Sequence, residues 1–146
     1  MRATAFTLFL LAFGARNAGA QHDAPATGDA KLGTVHFATS CRADAAQAFD
    51  RGVALIHSFE FGEAIPTFQR VVALDSTCAM AHWGMALSYW SNPLAPGARS
   101  VAQLDAGRGA VERGRRASTH ATARERAYID AVGQLYARYD GWLAGK

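Results

Sequence analysis

Apolar positions recur at spacings of three and four over most of the chain. Ala45, Ala48, Phe49, Gly52, Leu55, Ile56 and Phe59 form one such stripe and predict a helix from about Arg42 to Phe59. Ile65, Phe68, Val71 and Val72 form the next, on a helix ending at Leu74. Pro66 limits its start to about Gly62, because proline lacks the amide hydrogen that a helix interior needs. Asp75-Ser76-Thr77 supplies turn and N-cap chemistry for a third helix running to Trp90. Asn92-Pro93 and Pro96-Gly97 then break the pattern. Two capping boxes follow, Ser100-x-x-Gln103 and Thr122-x-x-Glu125. The first opens a helix ending near Ala117. The second opens one from Ala123 to Asp140, with a stripe of Tyr128, Ala131, Val132, Leu135 and Tyr139 and a stop at Gly141. Five helices make the expected fold class all-α.

The first 33 residues lie outside this pattern. Arg2, the uncharged apolar run Ala3 to Phe13 and the Ala18-Gly19-Ala20 site read as a secretory signal peptide over residues 1–20. That run is too short to span a bilayer as a helix, and no cysteine follows the cleavage site to carry a lipid. Residues 21–33 read as a flexible linker, 34–140 as the helical domain and 141–146 as a tail. Val35-His36-Phe37 is an apolar clip expected to pack under the first helix. Cleavage after Ala20 removes two arginines and no acid, so the net charge falls from +3 to +1. A near-neutral body gives no electrostatic argument for nucleic acid, and the mature chain is expected to be periplasmic or extracellular, without a transmembrane segment.

The first and third helices also match each other. Ala45, Ala48, Phe49, Gly52, Val53, Leu55 and Ile56 align with Ala79, His82, Trp83, Ala86, Leu87, Tyr89 and Trp90 at an offset of 34 residues. Only His82 over Ala48 breaks the match of small with small and bulky with bulky. With Ala64 and Phe68 on the intervening helix, this resembles the tetratricopeptide repeat (TPR), whose period is 34. The string from His57-Ser58-Phe59 to Gly84-Met85-Ala86 is similar to exported bacterial TPR proteins of unassigned function, which are usually several times longer. Departures are Ser76 in place of the closing proline and the early Pro66. The resemblance implies helix-turn-helix units stacked as a short α-solenoid of about two and a half pairs.

The resemblance carries further implications. Neighbouring first helices of TPR units lie parallel, which places Cys41 and Cys78 at one end of the stack; in an oxidising compartment a disulfide follows, the alternative being two buried thiols. First-helix positions opposite the packing face would line a groove of Phe49, Val53, Ile56, His57, Met80, Trp83, Leu87 and Trp90. Such a groove, apolar and aromatic, suits an apolar peptide or protein segment. Alternatively Phe37 or the last helix fills it as core.

Chemistry is sparser. Cys78, His82 and Met85 share a helical face and could hold copper or zinc, but the same positions serve packing. His57 and Glu60 read as solvated, and no catalytic signature or cofactor motif is present. Arg108, Arg113, Arg115 and Arg116, with Glu112 expected to pair to Arg108 and Arg116, read as a wet helix face. The leading expectation is therefore an exported TPR-like scaffold, with partners that include another TPR unit or self-association through the C-terminal helix. The alternatives are an enzyme or metal protein using the Cys78/His82/Met85 face, or a truncated fragment without independent function.

Overall fold

The computed structural model describes residues 32–94 and 99–144, with side chains through Tyr139. The expected signal peptide and all but the last two residues of the linker lie outside the described residues. Five α-helices follow: α1 Ala46–His57, α2 Phe61–Leu74, α3 Ala79–Trp90, α4 Val101–Ala117 and α5 Ala123–Ala144. Short 3-10 turns at Ala43–Ala45 and Ser118–His120 precede α1 and α5, and the described residues contain no strand. The fold is all-α.

The centre is α3, which packs against α1, α2, α4 and α5. Its sequence explains that place. The helix carries no Lys, Arg, Asp or Glu, and every residue from Ala79 to Ala86 is buried, as expected of a helix apolar all round. Its approach to α1 and α2 depends on two glycines. The Phe68 ring lies between Gly52 and Gly84, where an added Cβ would sit 2.7 Å and 2.3 Å from ring carbons.

Several boundaries differ from expectation for local reasons. α1 ends at His57 because Phe59 takes a left-handed conformation, φ 62°. The Phe59 amide donates to the Ile56 carbonyl and the Glu60 amide to that of Leu55, a Schellman closure with phenylalanine where glycine is usual. α2 starts at Phe61, so Pro66 falls in its second turn. It is tolerated because Pro66 and Gly62, the carbonyl it would crowd, both face solvent. The N-cap of α3 is Cys78, without a side-chain cap; Asp75 instead closes the preceding turn by accepting from the Thr77 amide and hydroxyl at 2.9 and 2.7 Å.

Both capping boxes form. Ser100 Oγ accepts from the Gln103 amide at 3.2 Å, and Gln103 Oε1 from the Ser100 amide at 3.1 Å. Thr122 Oγ1 accepts from the Glu125 amide at 3.2 Å, and Glu125 Oε2 from the Thr122 amide at 2.6 Å. The buried face of α5 matches the expected one only at Val132 and, half-buried, at Tyr139. Glu125, Ile129, Val132 and Tyr136 face inward, whereas Ala131 is exposed and Tyr128 and Leu135 lie at the rim. The helix is turned by about one position because Tyr136 donates from its hydroxyl to the Ala86 carbonyl, at 2.7 Å, over Gly107. α5 also continues through Gly141 to Ala144, into the segment expected to be tail.

A disulfide joins Cys41 to Cys78, with 4.7 Å between Cα atoms. Closing a loop of 37 residues stabilises by ~3–4 kcal/mol in the chain-entropy account. The amides on either side of Cys41 are both held by buried carboxylates: Arg42 donates to Asp75 Oδ2 at 2.8 Å and Ser40 to Glu125 Oε1 at 2.6 Å. Arg124 adds a bond to the Ala38 carbonyl. Residues 38–42 thus form a strap across the starts of α1, α3 and α5.

Candidate binding groove

The expected groove residues divide into two halves. Phe49, Val53, Met80 and Trp83 are buried, Trp83 at 8% exposure. The extended segment before α1 covers Phe49 and Trp83. The Phe37 amide donates to Asp50 Oδ1 at 2.9 Å, which sets its ring 5.8 Å from Phe49 and 5.7 Å from both Trp83 and Tyr128. Tyr128 meets Trp83 edge-on at 5.6 Å, and the Arg124 guanidinium lies over Phe37. This half is filled by the chain itself.

The other half is open. Ile56, His57, Leu87 and Trp90 line a cavity of about 330 Å³, completed by Phe59, Phe61, Ser91, Pro93 and Leu135. Phe59 is 55% exposed and Leu135 38%, an apolar surface in contact with water. Phe59 meets Phe61 edge-on at 6.0 Å. Trp90 is fixed from behind by Tyr136 and Tyr139, at 5.1 and 5.7 Å, and from the side by Arg99, 4.1 Å above its ring.

Phe59 and Ser91 are the two non-glycine residues with positive φ among the described residues, and both line this cavity. A left-handed non-glycine residue costs on the order of 1–2 kcal/mol, and such conformations cluster at functional sites. Sequence pattern alone does not mark Phe59, Phe61, Ser91 and Pro93 as wall residues, because they stand at helix junctions, off the repeat positions. The pair of aromatics around Glu60 was the available signal.

A larger depression of about 1050 Å³ runs along the outer side of α1 and α2. Asp44, Asp50, Arg51, Glu63 and Arg70 intersperse its wall with both signs of charge.

The metal face is otherwise engaged. Cys78 is in the disulfide and offers no thiolate, while His82 and Met85 are buried. Burial, then Arg113 and Arg116, lower the His82 pKa to about 4, so its imidazole is neutral near pH 7. Its Nδ1 is buried without a hydrogen-bond partner, while its Cβ packs beside Gly114 of α4. On the basic face Glu112 pairs with Arg115 at 2.7 Å rather than with Arg108 or Arg116, because Arg115 also reaches Asp130 on α5 at 3.2 Å. Arg108 pairs with Asp105 at 2.8 Å. No described helix is long and apolar enough to cross a membrane. No family model, curated protein or solved structure matches the chain.

Proposed function

We propose that this chain is an exported, TPR-like binding scaffold whose open half-groove receives an apolar segment of a partner protein. The observation that carries this reading is the coincidence of two independent features. Ile56, His57, Leu87 and Trp90, four of the eight residues that the 34-residue offset and the family resemblance assign to a ligand groove, are among the residues that line the open cavity. The packing supports stacked helical pairs: α3 rests on both α1 and α2, and α5 on both α3 and α4. The disulfide supports export, since such bonds persist in oxidising compartments. Among the described residues the cavity is lined by apolar and aromatic side chains with one histidine and one serine, which suits recognition of apolar side chains.

The test is selection of binders from a random displayed peptide library against the chain, with Leu135→Glu as control. Leu135 is partly exposed on the cavity wall, so the charge should spare the fold. The expected result is enrichment of apolar peptides that bind the parent chain and lose at least about tenfold in affinity on Leu135→Glu. Absence of enrichment, or binding indifferent to this change, refutes the reading.

A further inference from the structure

Among the described residues, Cys41, Asp75 and Cys78 bring three metal-type donors together, their sulfur and carboxylate oxygen atoms lying within 4.8 Å of one another. In the oxidised chain the disulfide withholds both sulfurs, because a metal binds the thiolate. Reduction releases them in place. Arg42, next to Cys41, donates its amide to Asp75 Oδ2 at 2.8 Å, and Ser40, on the other side, donates to Glu125 Oε1 at 2.6 Å. Neither bond involves sulfur, so the strap holds Cys41 beside Cys78 when the covalent link opens. The two Cα atoms are 4.7 Å apart, near enough for both sulfurs to reach one ion at a zinc–sulfur distance of about 2.3 Å.

The carboxylate is already arranged as a ligand. Asp75 is buried; its Oδ1 accepts from the Thr77 amide and hydroxyl at 2.9 and 2.7 Å, and its Oδ2 from the Arg42 amide. A carboxylate offers roughly four lone-pair positions, so Oδ2 keeps one to direct at a metal. Hydrogen bonds of this kind orient the carboxylates that hold metals in proteins. The charges are also accommodated. Of the three negative charges on two thiolates and a carboxylate, a divalent cation cancels two. The remaining one faces the N-terminus of α3, where Cys78 is the N-cap and no side chain caps the first amides. A helix N-terminus is a place where a thiolate is stabilised.

We propose that reduction converts this disulfide into a zinc site, with thiolates from Cys41 and Cys78, a carboxylate oxygen from Asp75, and the fourth tetrahedral position left to a solvent or ligand oxygen. Two soft donors and one hard one suit zinc rather than calcium or magnesium. The set shares only Cys78 with the helical face of Cys78, His82 and Met85. A dithiol reductant supplies two electrons and two protons and leaves as its own disulfide, while the Cys41–Cys78 bond breaks into two thiols. Cys41, half-buried, is the sulfur it attacks more readily than the buried Cys78. Zinc then displaces both thiol protons to solvent. The chain holds zinc only when reduced, whatever its groove binds.

The experiment reduces the chain with a water-soluble phosphine, which leaves as its oxide, removes the excess under argon and titrates with Co(II) as a spectroscopic substitute for zinc. Expected are one equivalent bound, a thiolate-to-cobalt charge-transfer band and the intense visible bands of a tetrahedral ion, all bleached by zinc. The unreduced chain should give none of these. Asp75→Asn, checked for folding by its far-UV spectrum, should bind at least about tenfold more weakly. In melts of the reduced chain, free zinc at about a hundred times its dissociation constant should raise the thermal midpoint by about 10 °C, leaving that of the oxidised chain unmoved. No bands after reduction, equal bands without reduction, or full affinity in Asp75→Asn overturns the site. If Asp75→Asn does not fold, the melts decide. Metal bound by the reduced chain without a gain in midpoint marks coordination by unfolded thiols and overturns the site as well.

Discussion

Trp83 is the residue on which the extent of the groove turns. If the closed half of the surface is core, Trp83→Ala must behave as a core deletion. The indole is 92% withdrawn from water, given its 8% exposure, and it contacts the rings of Phe37 and Tyr128 at 5.7 and 5.6 Å. Truncating a buried tryptophan costs about 3–5 kcal/mol, the upper part of that range applying where the site cannot collapse. Collapse is restricted here. Phe37 is tethered by its amide bond to Asp50, and Tyr128 projects from a helix fixed by Glu125 and Tyr136. For a domain of this size, at about 4 °C per kcal/mol, the thermal midpoint should fall by about 12–20 °C. The assay is a far-UV circular-dichroism melt of the purified chain without added ligand, with Trp83→Phe as a milder change expected to recover much of the loss. A midpoint within about 3 °C of the parent would refute the assignment of Trp83 to the core and reopen the whole groove.

Two further outcomes are expected. Burial would raise the carboxyls of Asp75 and Glu125, but the amides of Arg42 and Thr77, and of Ser40 and Thr122, outweigh it and hold both below their usual values. Folded values below the unfolded ones mean stability is full above about pH 5 and is lost as pH falls through the depressed values. The thermal midpoint should therefore drop in acid, and Glu125→Gln should lower it at pH 7 while making the acid loss shallower; parallel acid profiles for the two proteins would count against this. Gly84→Ala gains about 1 kcal/mol of helix propensity but drives a methyl to 2.3 Å from a ring already backed by Gly52. Overpacking of this kind costs about 1–3 kcal/mol, so a net loss is expected in a urea melt, partly restored by adding Phe68→Leu. Simple stabilisation by Gly84→Ala would contradict it.

Local chemistry was the legible part of this chain. The Ser100/Gln103 and Thr122/Glu125 boxes were readable because both partners lie within four residues, and α3 because it is apolar on every side. The face of α5 is hard to read from sequence because the buried Glu125 interrupts its apolar stripe. An acid four residues before Ile129 looks like the solvent side until Ser40, distant in sequence, is seen to donate to it. The half-groove was legible at Ile56, Leu87 and Trp90, which obey a period, but not at Phe59, whose place depends on a backbone angle that its side chain disfavours. That Phe37 closes the other half is not fixed by local sequence, since it rests on a tertiary bond to Asp50.

The strap over residues 38–42 bears on how the molecule comes apart. A row of helices in which each touches its neighbours can fray from its ends, and its outermost members open at little cost. Here the bonds from Ser40 to Glu125 and from Arg124 to Ala38 close sequence separations of 85 and 86 residues, and Cys41 is covalently fixed to α3 in between. Releasing α5 from its first turn therefore means stripping the segment that leads into α1, and peeling that segment back exposes Trp83 and a buried carboxylate together. End-fraying and global unfolding become one event over the first turns. The far ends of α1 and α3, where the open cavity lies, are outside the span that the strap ties.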